Sequence, residues 1–169
     1  MIHTEEELKM LIILEGLVLA FWLVLICVVC MAKGPAAMAA FYEKDVQKRV
    51  VGLGLGTEEQ VKKESLIAVL SMLIPVLFIV PAVVYLYNGA NGFLDGFLQL
   101  TGIYLIAGLF DRIFIDEWWV CRTKAWIIPG TEDLMPYIPA AVKAKKWVGT
   151  VIGFTVLAAI IAGILQLFR

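Results

Sequence analysis

Glu15 is a carboxylate set inside an otherwise apolar run from Met10 to Ala32. A charge at that depth is expensive unless it faces protein or water. A carboxyl group there either takes up a proton, a cation or a polar ligand, or serves as hydrogen-bonding glue between helices. Polar residues at matching depth in the other apolar runs are Tyr85, Gln99, Thr101 and Gln166, and these are its expected neighbours.

A second polar group lies at the opposite depth: Asp111, Arg112, Asp116 and Glu117. Arg112 and Asp116 stand four apart, a spacing that pairs opposite charges on one helix face. Asp111 falls on another flank, within expected reach of Lys62, Lys63 or Lys143. Such a group is either a site for a cation or a phosphate-bearing substrate, or a collar of salt bridges where helices emerge into water. Trp118, Trp119 and Trp126 follow at once, with Tyr137 and Trp147 beyond. They read as half of an interfacial aromatic belt, with a pocket for a flat or cationic ligand as the alternative.

Cys27-Val28-Val29-Cys30 is a C-x-x-C. In that tetrapeptide and in helix count the chain resembles small four-helix membrane oxidases that make disulfides with quinone. The resemblance implies a thiol relay. Cys121 is the third cysteine and there is no fourth to complete one. Free cysteine also packs well as a small hydrophobe. The run Gly52-Leu53-Gly54-Leu55-Gly56-Thr57 lacks the Lys-Ser/Thr ending and preceding strand of a phosphate-binding loop. It reads as a hinge. The single histidine, His3, stands far from the acidic group, so no metal site is expected. No cofactor is legible.

The elements that position these residues follow from hydropathy. The chain has 169 residues, 62% hydrophobic and 17% charged, with a mean hydropathy of +0.90. Soluble domains carry about 45–50% apolar residues. Four runs, about 10–32, 66–87, 97–115 and 147–168, approach or exceed the roughly 20 residues that cross a bilayer. The expected fold is a single all-α domain over 1–169, a four-transmembrane-helix bundle.

The capping boxes Thr4/Glu7 and Thr57/Gln60 start helices, and Pro35 and Pro139 suit first helical positions. Residues 36–50 place Met38, Phe41, Tyr42, Val46 and Val50 near one face, which predicts one amphipathic helix lying in the membrane interface. Pro75 and Pro81 bend the second span. Gly149 and Gly153 form a G-x-x-x-G, a signal for close packing within the bundle, or for a homo-oligomer or larger membrane complex.

Lysine and arginine concentrate in the loops at about 33–64 and 116–146, and the 88–96 connection has none. Basic residues are retained in the cytoplasm. Both long loops are therefore expected inside a plasma (inner) membrane, with both termini outside. Acids nearly balance the bases in each loop, so neither is expected to be a polybasic tether for lipid or nucleic acid. The reading that emerges is a membrane protein binding or transporting a small molecule or ion, or a subunit of a larger assembly. Alternatives are an enzyme acting on a lipid or quinone, and a purely structural protein.

Overall fold

The computed structural model describes residues 4–168, and they are mostly helical, without a strand among them. His3 and Arg169 lie outside the described residues. The first helix, α1, spans Glu5–Lys33. The Thr4 hydroxyl accepts from the Glu7 amide at 3.3 Å, and the Glu7 carboxylate accepts from the Thr4 amide at 2.8 Å. Two of the orphan donors at a helix start are thus satisfied. Gly34, at φ 100°, ends α1 where a side chain would be strained.

Two short helices follow, α2 (Pro35–Ala39) and α3 (Lys44–Gly52). The single interfacial helix expected over 36–50 is therefore broken between them. Its apolar face is not free for lipid either, because Met38, Tyr42, Val46 and Val50 are all buried by protein.

The long α4 spans Glu58–Tyr87 and opens on the Thr57/Gln60 capping box. It is π-helical over Pro75–Ile79 and again over Val83–Tyr87. A tight turn with left-handed Gly89 and Gly92 leads into α5 (Gly92–Val120), π-helical over Asp111–Val120. The last helix, α6, spans Ala140–Leu167. Pro139 caps it in extended conformation rather than occupying its first turn. All four long helices are long and apolar enough to cross a membrane.

α5 is the central post. It packs against both α1 and α6, and its base carries the charged cluster. Leu100, Ile103 and Tyr104 are fully buried there, among Val84 of α4, Ala20 of α1, and Ala158 and Ala162 of α6. Around this core the surface is oily: Phe21, Phe78, Leu86, Leu98 and Ile160 are more than half exposed. Such a continuous apolar exterior is unsustainable in water and is what a bilayer covers.

A second core closes the loop end. Trp126, Ile128 and Tyr137 of the second loop pack on Tyr42, Val46 and Val50 of the first, with Ile115 and Val120 of α5 beneath. The Ile128 amide donates to the Tyr137 hydroxyl at 3.0 Å, and the Thr131 hydroxyl, which bonds Tyr137, donates to the Ile128 carbonyl at 2.8 Å. Arg49 grips both oxygens of Asp133 at 3.1 and 3.0 Å, fixing α3 to the second loop.

Candidate functional site

Glu15 lies at a cleft between α1 and the proline-bearing stretch of α4. The cleft holds about 200 Å³ and is lined by Glu15, Val18, Leu19, Trp22, Pro75, Ile79, Val80 and Val83. One wall is the face of α1 repeating at i, i+3, i+4 and i+7 from Glu15. The other is the proline-bearing stretch of α4. Glu15 is the acidic group in an apolar lining, at the end nearer the 88–92 turn.

Both prolines of α4 free a backbone carbonyl, and each carbonyl is taken up from a neighbouring helix. Pro75 has no N–H to give to Ser71, four residues back. The Trp22 indole donates to the Ser71 carbonyl instead, at 2.9 Å. The Val80 amide donates to the Pro75 carbonyl, five residues back. In that same register Pro81 would have served Val76, and the Tyr104 hydroxyl donates to the Val76 carbonyl at 2.6 Å. Satisfying freed backbone groups through adjacent helices is what lets proline persist inside a span. The Trp22–Ser71 bond also ties α1 to α4 at the lower end of the cleft.

At the upper end the Glu15 carboxylate accepts from the Asn88 side-chain amide at 3.0 Å. The same nitrogen donates to the Gln99 side-chain oxygen at 3.1 Å, and the Gln99 amide donates to Asp95 at 2.8 Å. Asp95 in turn accepts from the Asn91 backbone amide at 3.0 Å. A polar chain therefore runs from α1 through the turn into α5. Asn88 and Gln99 are buried, and the Asn88 carbonyl oxygen is buried without a partner.

Of the neighbours expected for Glu15, Gln99 is reached through Asn88 rather than directly. Gln166 is exposed, Thr101 carries a buried hydroxyl without a partner, and the Tyr85 hydroxyl sits over Gly96. Asn88 and Asp95 were not anticipated. Their signal was weak but present: Asp95 and Gln99 stand four apart at the depth of Glu15.

The charged base of α5 has a different character. Arg112 donates to Asp111 and to Asp116 together. Asp111 thus pairs with its own neighbour, not with Lys62, Lys63 or Lys143 as expected, because the guanidinium fork reaches both flanks at once. Lys146 of α6 contacts both oxygens of Asp116 at 3.0 Å. Lys143 and Arg122 hold Glu117 at 2.6 and 3.2 Å. The space among Arg112, Asp116, Glu117, Lys143 and Trp147 is about 10 Å³, room for one water at most.

Trp118, Trp119 and Trp126 part company. Trp118 is half exposed and stacks toward Phe114. Trp126 is 1% exposed and is no belt residue. It is the centre of the loop core, edge-on to Tyr42, Phe41 and Trp119. Burial there pushes the Tyr42 phenol above the usual tyrosine range, with Tyr137 adding to the effect. Cys27 and Cys30 are free thiols, both buried in packed faces of α1. No group of three or more metal-ligating side chains gathers among the described residues. Compared with known proteins, the chain matches no family model, no curated protein and no solved structure.

Proposed function

We propose that this is an integral membrane protein that binds a small, bilayer-dissolved molecule with an apolar body and a hydrogen-bond-donating head, an alkylamine being the simplest case. The observation that carries the reading is the placement of Glu15 in the apolar cleft between α1 and α4. One carboxylate oxygen is engaged by Asn88, and the cleft side chains around it offer a ligand dispersion contacts but no hydrogen bond. An amine or hydroxyl entering from the acyl region would find its single strong acceptor at Glu15, and the hydrocarbon would lie along Val18, Leu19, Ile79 and Val83. A head of this kind gains a charge-assisted hydrogen bond, worth about 1.5–3 kcal/mol.

The packed core on the other side of α1 favours binding over conduction by one copy. Four helices normally fill their own interior, and here Leu100, Ile103 and Tyr104 do so. The ion-paired base of α5 serves this reading as a collar that holds α5 to α6. Positive-inside charge placement puts the two long loops in the cytoplasm. Gly149 and Gly153, which have open space above them, offer a contact for a second copy or a larger assembly.

The test is equilibrium binding of a fluorescent medium-chain alkylamine to the purified chain in lipid nanodiscs. Wild type should bind saturably, and Glu15→Gln should bind at least about ten-fold more weakly at an unchanged unfolding midpoint. Equal binding by the two proteins would remove Glu15 as the anchor and the reading with it.

A further inference from the structure

At the loop end a second cleft, of about 280 Å³, is lined by Lys44, Gln47, Lys48, Val51, Glu58, Val61 and Lys62. It is built by two helix faces turned toward each other. Residues 44, 47, 48 and 51 follow the i, i+3, i+4, i+7 spacing of one face of α3, and residues 58, 61 and 62 the i, i+3, i+4 spacing of α4. The opposite face of α3, Val46 and Val50, is buried in the loop core. This holds the lysine face outward over the cleft. Lys62 has Glu58 at 4.0 Å. Lys44 and Lys48 have no carboxylate partner among the described residues, so the cleft is net positive. Gln47 donates one of its two amide hydrogens to the Tyr42 carbonyl at 2.9 Å, which fixes the side chain in place and leaves it one N–H. The donors in the cleft are therefore mostly those of the ammonium groups, three on each lysine, with one N–H of Gln47 beside them.

The cleft also sits at a telling height. The apolar stretch of α4 begins at Leu66, four residues beyond Lys62, about 6 Å along a helix. That is the depth of lipid headgroups, and Val51 and Val61 supply an apolar floor.

We infer that this cleft binds a phosphate group, and that the phosphate is that of an anionic lipid headgroup. Compact ammonium groups suit phosphate as point charges with three donors each. Juxtamembrane lysines on the cytoplasmic side are also where anionic lipids are drawn. The inference is independent of the Glu15 cleft, which lies near the other end of α4.

The experiment is native mass spectrometry of the full chain released from detergent with phosphatidic acid or phosphatidylcholine added. Wild type should retain more phosphatidic acid. The triple variant Lys44→Gln, Lys48→Gln, Lys62→Gln should lose that preference by about ten-fold, while Lys63→Gln and the three Lys→Arg replacements keep it. Lys48→Gln alone should give a partial loss, which covers the case in which the triple variant does not fold. Equal retention of both lipids by wild type, or an undiminished preference in the variants, would overturn the site. Millimolar inorganic phosphate forms the remaining arm. Failure to displace the lipid supports a headgroup site, and displacement overturns the lipid assignment in favour of a soluble phosphate compound.

Discussion

Asn88 is the residue on which the polar chain at the turn depends. Its amide nitrogen serves Glu15 and Gln99 at once. Removing it leaves the buried Gln99 oxygen and the half-buried Glu15 carboxylate short of a donor, and a loss of this kind costs about 1–3 kcal/mol. Asn88→Leu should therefore lower the thermal unfolding midpoint in detergent, whereas Glu15→Gln, which keeps an acceptor oxygen, should leave it nearly unchanged. The sequence singles out Glu15 because a carboxylate in an apolar run is anomalous. It hides Asn88 because Asn-Gly is ordinary turn chemistry, and nothing in the turn's composition says that this side chain points inward. The charged residues at the base of α5 were legible for the same reason as Glu15. Their mutual neutralisation was only half legible, since Lys143 and Lys146 arrive from a helix far along the chain.

At the scale of helices, the loss of backbone bonds in α4 is plain from Pro75 and Pro81, and the helix is π-helical from Pro75 and again after Pro81. The donors that make the prolines tolerable, Trp22 and Tyr104, emerge only when α1 and α5 are laid alongside. Tyr104→Phe should orphan the Val76 carbonyl in the core and destabilise the protein by about 1–3 kcal/mol. In a Pro81→Ala background the restored backbone N–H can serve that carbonyl, and the same substitution should cost much less. The double-mutant cycle, read by chemical or thermal unfolding, measures the coupling. Without coupling, the hydroxyl would not be standing in for the missing amide.

Small residues tell a similar story. Gly149 and Gly153 stand out by spacing, yet a methyl group on either would meet nothing within 4 Å. The close approach of α1 to α5 uses Gly16 and Gly102 instead: a methyl group on Gly16 would lie 2.7 Å from Ile106, and one on Gly102 2.8 Å from Ile12. These two lie on different helices and share no motif, so spacing cannot reveal them. The amphipathic face of residues 36–50 was likewise visible, but whether lipid or protein covers it depends on Trp126 and Tyr137, more than seventy residues away.

For the whole molecule, hydropathy was sufficient for the four long helices, because lipid leaves the backbone no alternative to helix, but not for their limits: α1 and α4 begin at the capping boxes of Thr4 and Thr57, well before their apolar runs. The orientation rests on charge and is open to a direct check. In a variant lacking its three cysteines, a membrane-impermeant thiol reagent applied to intact cells should label Asn91→Cys, in the exposed short turn, and spare Leu55→Cys, exposed in the first long loop. The reverse pattern would invert the protein in its membrane.

The loop core bears on how the bundle can move. Both long loops and the adjoining ends of α1, α5 and α6 are packed together there, through Tyr42, Trp126 and Tyr137 and through the Arg49–Asp133 clasp. At the far end α1 packs closely on α5 through Gly16 and Gly102, but it meets α4 through the polar latch of Glu15 and Asn88. The α1–α4 seam is thus built like a pair of tongs, riveted below and merely latched above. A guest wedged beside Glu15 would spread the jaws without straining the rivet.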